Sequence, residues 1–169
     1  ETGAYTPILP RTALAPAPYA LHAADAWTLN GNAGTTPGTH VLGTTDNVSL
    51  TLVVSGSTAL RLEPATRNSL VLPNVIAGSS ENRVSAGTYA ATVGGGHSNG
   101  VSGRFATASG GESNTASGDY ATVPGGSEAQ ASLTGQMAYA SGHFATPGDA
   151  QASLYVLRNQ TASGTTELF

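Results

Sequence analysis

Small apolar and polar positions alternate along residues 91–132 and repeat every 15 residues. Each period begins with an Ala-Thr pair, at Ala91, Ala106 and Ala121, and two glycines follow at the same phase. Alternation with a period of two predicts short β-strands whose alanines face one way and whose threonines face the other. A fixed short period predicts a stacked architecture in which each unit buries its inner face against its neighbours.

Each unit contains a second small apolar column, formed by Val101, Ala116 and Ala131, after the glycine pair. We therefore predict an all-β chain whose units are two short strands joined by turns, where glycine supplies the left-handed backbone. The absence of a 3.6-residue period argues against helix. Weaker copies at 74–90 and 148–154, with 133–137 interpreted as an insertion, predict a parallel β-roll (solenoid) of about five rungs.

Two strands per 15 residues predict a thin roll with an interior of Ala and Val. At about 25 cal/mol per Å² such an interior contributes little stability, so we expect identical chains to pack side by side with cyclic symmetry. Four aromatic residues, each directly before an alanine, are candidates for filling the seams between chains: Tyr89, Phe105, Tyr120 and Phe144. The alternative is that they decorate a solvated sheet.

The run from Tyr120 to Ser127 (Tyr-Ala-Thr-Val-Pro-Gly-Gly-Ser), preceded by Asn114-Thr115-Ala116-Ser117-Gly118, resembles the head repeats of trimeric autotransporter adhesins. Similar repeats occur in phage tail-fibre proteins and in large secreted bacterial surface proteins. The resemblance covers residues 74–154 and implies a left-handed parallel β-roll with three chains around a threefold axis. The chain departs from the adhesin heads in its longer turns, which contain Gly-Gly.

The chain is predicted to have four segments. Residues 1–26 carry four prolines and predict an extended arm ending in a short helix, which is a candidate to pair with a neighbouring subunit's sheet. Residues 27–65 predict a small β module with a hairpin around Ser55-Gly56-Ser57. Residues 66–155 form the predicted roll, and residues 156–169 a C-terminal strand or tail.

Composition excludes several classes of function. The net charge is −4, charged residues make up 9% of the chain and no basic cluster is present, which argues against nucleic-acid binding. The chain has no cysteine, so neither disulfides nor thiolate metal sites are expected. The chain has no run of 18 apolar residues, so the sequence predicts no transmembrane helix.

Residues that could carry chemistry favour structural interpretations. The four histidines lack ligand spacing, so we predict no metal or cofactor: His22, His40, His97 and His143. Glu112 and Glu128 lie on adjacent rungs, within reach of the carboxylate spacing of a glycosidase, but solvated turn residues are the favoured interpretation. The Thr92/Thr107/Thr122 column suggests ice binding, yet such surfaces usually need a second threonine column. We therefore predict no catalytic, cofactor-binding or metal residues.

These features predict an extracellular structural or adhesive subunit of a surface fibre, filament or tail-like appendage, without enzymatic activity. We expect a homo-oligomer, with a trimer favoured and a filament as an alternative. A host surface or a glycan is the candidate ligand. The competing hypothesis is a carbohydrate-binding or polysaccharide-depolymerising fibre tip, whose site would be the shallow grooves between chains.

Overall fold

The computed structural model describes Gly3 and residues 31–156, and the chain has no helix within these residues. The predicted Pro-rich arm, apart from Gly3, and residues 157–169 lie outside the described residues. The chain consists of two compact units, Glu1–Gly43 and Thr44–Phe169. The strands are β1 (Leu50–Val54), β2 (Ser57–Glu63), β3 (Thr66–Arg67), β4 (Leu70–Val71), β5 (Asn74–Ala77), β6 (Arg83–Val84), β7 (Thr92–Val93), β8 (Gly100–Val101), β9 (Thr107–Ala108), β10 (Thr115–Ala116), β11 (Thr122–Val123), β12 (Gly126–Ser127), β13 (Gln130–Ala131), β14 (Met137–Ser141) and β15 (Gln151–Leu154).

Two sheets form the roll. Sheet 1 has the order β1-β2-β5-β7-β9-β11-β14-β12, with β15 also paired to β14, and sheet 2 has the order β13-β10-β8-β6. The strands from β5 to β14 in sheet 1 run parallel, and their register aligns Thr92, Thr107, Thr122 and Met137. The predicted β-solenoid with a spacing of about 15 residues is therefore confirmed. We number its four rungs as residues 74–90, 91–105, 106–120 and 121–136.

The predicted fifth rung is incomplete. Strand β14 continues sheet 1 in parallel after β11, but within residues 31–156 sheet 2 has no strand after β13. Residues 133–137 are not an insertion, because Thr122 pairs with Met137 at the regular distance along the chain. Residues 151–154, although similar in composition to residues 130–133, form an antiparallel strand against β14. The chain reverses before them, at a turn in which the carboxylate of Asp149 accepts hydrogen bonds from the backbone N–H groups of residues 144–146.

The predicted β-hairpin of residues 49–62 is confirmed as β1 and β2, which pair antiparallel. Strand β2 also pairs antiparallel with β5, so the hairpin continues sheet 1. At the other end of the roll, β15 covers β14 in the same way. Antiparallel strands thus cover both ends of the parallel part of sheet 1.

The interior of the roll is as thin as the alternation predicts. Ala and Val side chains of both sheets fill it, and residues on the rung starts alternate between buried and half-buried. Thr92, Thr107 and Thr122 lie on the outside of sheet 1. The buried side chains that form this core are Ile76, Ala91, Val93, Val101, Ala106, Ala108, Ala116, Ala121, Val123, Ala129, Ala131, Ala138 and Ala140.

A ladder of buried asparagines runs through the rungs. Asn82, Asn99 and Asn114 are fully buried, and they stand at the same position of rungs 1 to 3. The Oδ1 atom of Asn99 accepts a hydrogen bond of 3.0 Å from the backbone N–H of Asn114 on the next rung. Its Nδ2 donates to the carbonyl groups of Gly95 and Gly111, at 3.0 and 2.9 Å. Each asparagine therefore ties the turn of its own rung to the next rung.

The ladder ends where its sequence position changes. In rung 4 the position is taken by Ala129, whose backbone N–H still donates to Oδ1 of Asn114. The buried Gln136 then satisfies the following turn, because its Oε1 accepts from the N–H groups of Ser132 and Leu133. Among the described residues, no buried side-chain polar atom lacks a partner.

Close approach between rungs explains one glycine column. A Cβ at Gly103 would lie 1.9 Å from the carbonyl oxygen of Gly118, and a Cβ at Gly118 would lie 2.2 Å from that of Leu133. No side chain fits at such distances. Leu133 occupies the same position in rung 4, beyond which sheet 2 has no further strand.

We predict that Asn99→Ala destabilises the roll by about 3 kcal/mol or more. It leaves the N–H of Asn114 and the two glycine carbonyl groups without their buried partner, and each such loss costs about 1–3 kcal/mol. Chemical denaturation followed by circular dichroism measures the effect. The exposed Ser102→Ala on the same rung is the control, with an expected change within about 0.5 kcal/mol. Equal midpoints for the two variants would contradict a structural role for the ladder.

Candidate functional site

An uncharged row of side chains crosses the outer face of sheet 1. Pairing registers align eight residues on eight strands, and we call them the outer row: Leu50, Leu62, Val75, Thr92, Thr107, Thr122, Met137 and Leu154. At about 4.8 Å per strand the row is roughly 34 Å wide. Its members are half-buried in the middle and exposed at Met137 and Leu154. The row is therefore a strip of aliphatic and threonine side chains that carries no charge.

The row does not carry the second threonine column that ice binding usually needs. The next outward positions of rungs 2 to 4 are Gly94, Ser109 and Pro124. These residues do not repeat one hydroxyl and one methyl group on each rung. The outer row therefore favours protein contact over ordered water.

An aromatic column stands on one corner of the roll. The rings of Phe105 and Tyr120 stack with centroids 5.3 Å apart and planes 2° apart. The buried Tyr89 packs edge-on against Phe105 at 5.4 Å, and the guanidinium of Arg67 lies over the Tyr89 ring. Three of the four predicted seam aromatics thus contact one another within one chain. Phe144 lies apart in the turn before β15 and is 90% exposed.

An ion pair runs beside the aromatic column. Arg104 of rung 2 donates hydrogen bonds from its backbone N–H and its Nε to the carboxylate of Asp119 on rung 3, both at 2.9 Å. These hydrogen bonds lower the pKa of Asp119. The side-chain hydrogen bond to Asp119 is the main cause that raises the pKa of Arg104. The pair ties two rungs together at the corner that presents Tyr120.

Histidines and glutamates line a different corner. Nε2 of His97 lies 3.4 Å from Glu81, and its Nδ1 lies 3.6 Å from Glu112 on the next rung. Nδ1 of His143 contacts Glu128. Glu112 and Glu128 therefore contact different histidines, His97 and His143. His40 accepts a hydrogen bond from the backbone of Thr36, and His22 lies outside the described residues.

The described residues contain no group of three His, Cys, Asp or Glu side chains arranged to hold a metal ion. They also contain no helix that is long and apolar enough to cross a membrane. A cleft of about 240 Å³ lies beside β6, lined by Glu63, Thr66, Ser85 and Thr88 among others. None of these residues was singled out in the sequence.

Two features escaped the sequence analysis. The asparagine ladder has a signal, because Asn82, Asn99 and Asn114 each lie eight residues after the start of their rung. Asparagine is common in exposed turns, so phase alone does not reveal burial. The second feature is the intrachain stacking of Phe105 on Tyr120, which follows from their 15-residue separation once the rung length is known.

No protein-family model, curated protein or solved structure matches the chain. The resemblance of its repeats to adhesin heads therefore stays a prediction, carried by the repeat residues alone.

We predict that the roll loses stability in acid partly through Asp119 and Asp149. Backbone hydrogen bonds from Thr146, Phe144 and Ala145 lower the pKa of Asp149, as Arg104 lowers that of Asp119. A carboxylate whose pKa is lower in the folded than in the unfolded chain stabilises the fold above the unfolded value of about 3.9. That contribution is lost as the pH falls through the folded-state pKa.

Melting temperatures measured between pH 6 and pH 2 test this prediction. The double variant Asp119→Asn/Asp149→Asn should show a shallower decrease below about pH 4 than the parent chain. Arg104→Gln should reproduce the Asp119→Asn part of the effect, and combining the two should add little further. Parallel pH profiles for the parent and the double variant would contradict the assignment.

Proposed function

We propose that the chain is a structural and adhesive subunit of an extracellular fibre or appendage, and that its copies assemble through the outer row of sheet 1. The observation that carries the proposal is the outer row itself. It is uncharged, and it crosses eight of the nine strands of sheet 1 on one face. A trimer is the favoured assembly because of the resemblance to trimeric adhesin heads.

The thin interior supports assembly. The side chains that fill the roll are mostly alanine, with Ile76 and the valines as the largest apolar ones. Burial contributes about 25 cal/mol per Å² of apolar surface, so a core of this kind supplies little of the stability of a domain. An oligomer that covers the outer row would bury one further apolar or threonine side chain on each rung.

The extracellular location, the adhesive role and the absence of enzymatic activity rest on the repeat resemblance and on composition. An assay with surface polysaccharides tests the competing depolymerase hypothesis. Turnover of any of them would overthrow the proposal.

We predict that Thr107→Asp dissociates the assembly. Thr107 lies at the centre of the outer row, and a charge there would be desolvated and unpaired against a second outer row. Thr115→Asp is the matched control, because Thr115 lies on the same rung in sheet 2 and is also half-buried. Light scattering coupled to size-exclusion chromatography measures the mass of each variant.

The expected result is an oligomer for the parent chain and for Thr115→Asp, and a mass shifted to the monomer for Thr107→Asp. Denaturation curves for both variants verify that each is folded. A parent chain that stays monomeric at micromolar concentration would refute assembly through the outer row. Dissociation by Thr115→Asp alone would transfer the interface to sheet 2.

A further inference from the structure

The aromatic column stops at Tyr120 although the corner that carries it continues for one more rung. The residues Phe105, Tyr120 and Gly135 share a left-handed backbone, with φ of 56°, 60° and 70°. The backbone N–H of each also donates to a carbonyl oxygen on the preceding rung. The acceptors are Tyr89 for Phe105, Arg104 for Tyr120 and Asp119 for Gly135. Gly135 is therefore the rung-4 equivalent of the two aromatic residues.

Gly135 leaves the outer face of the Tyr120 ring uncovered. Among the described residues, no heavy atom lies within 4 Å of a Cβ built at Gly135, so these residues leave the position above the ring open. Tyr120 is 60% exposed, whereas Tyr89 at the other end of the column is 8% exposed. Phe105 covers the inner face of the Tyr120 ring and holds it parallel to its own plane. The corner thus presents a flat ring whose position is fixed.

The surroundings of this ring are polar. Arg104 and Asp119, which directly precede Phe105 and Tyr120 in the chain, form an ion pair, and the exposed Thr134 takes the place of Asp119 in rung 4. A ligand for such a site needs a flat apolar face and a hydrogen-bonding edge. A pyranose ring has both, because its axial C–H groups form an apolar face and its equatorial hydroxyl groups form the rim. Aromatic rings provide apolar area at low cost in side-chain entropy.

We propose that the open face of Tyr120 is a stacking site for the pyranose rings of a glycan. The proposal deepens the adhesive part of the proposed function by naming a ligand class and a contact residue. It places the site on one chain, on the corner of rungs 3 and 4. The grooves between chains, which the sequence analysis favoured for a sugar, are not required.

Gly135→Tyr is the decisive variant because it blocks the site by continuing the column. Tyr120 and Phe105 already adopt the left-handed backbone that this substitution requires, and the space for the new ring is open. Gly135→Ala is the matched control, since it places a side chain on the same backbone without covering the ring. Tyr120→Ala removes the ring, and Tyr120→Phe retains it.

Titration with chitohexaose, cellohexaose, laminarihexaose and mannohexaose, followed by NMR of the tyrosine ring signals, tests the proposal. We expect at least one oligosaccharide to shift the Tyr120 ring signals. Isothermal titration calorimetry with that oligosaccharide gives the affinity of every chain, including the two Tyr120 variants, which lack the Tyr120 signal. The affinity should decrease about tenfold or more in Gly135→Tyr and Tyr120→Ala, as expected for the loss of one ring stack. Gly135→Ala and Tyr120→Phe should stay within about twofold of the parent chain.

Three outcomes would overturn the proposal. The first is that no oligosaccharide shifts the Tyr120 signals, and the second is equal affinity in Gly135→Tyr and Gly135→Ala. The third is a Tyr120 signal that responds to protein concentration, with Gly135→Tyr lowering the mass of the oligomer, which would assign the ring to a second copy of the chain. Light scattering on the same samples reports assembly separately, so sugar binding by a monomer would refute only assembly.

Discussion

An asparagine enclosed by the turn of a narrow roll must find partners for two donor hydrogens and one acceptor oxygen, because water cannot reach it. Asn99 finds them in carbonyl groups of its own and the next rung and in the N–H of Asn114. The interior has too little apolar volume to fix the rungs by packing alone, since most of its side chains are alanine. Hydrogen bonds with a strict geometry therefore set the spacing and register of successive turns.

Everything placed on the outside inherits this register. The threonines of the outer row lie side by side only because each rung repeats the one before it without slippage. The rings of Phe105 and Tyr120 stack for the same reason. A surface of this kind differs from a loop-built binding site, because its side chains are positioned by the lattice of the backbone. The outer row and the aromatic corner are thus two uses of one repeated geometry.

The repeat itself could be predicted because alanine, threonine and glycine recur in a fixed phase, and side-chain alternation then assigns Ala106 and Ala108 to the inside. The error at the C-terminal end has a physical cause. Residues 148–154 match residues 127–133 in composition, yet the Asp149 turn reverses the chain, and antiparallel pairing with β14 decides its direction. The burial of Asn114 and the open face above Tyr120 depend on neighbours on other rungs, which one rung's residues do not specify.

Leu133 lies in rung 4, the last complete rung of the roll. Its position belongs to glycine in rungs 2 and 3, where the following rung passes within the space of a single methyl group. Leu133 fits in rung 4 because, among the described residues, no further strand of sheet 2 follows it. Tandem duplication of a 15-residue unit can lengthen such a protein from within, between residues 91 and 120, while both end structures stay unchanged. The length of the roll would then change in steps of one rung, each adding about 4.8 Å.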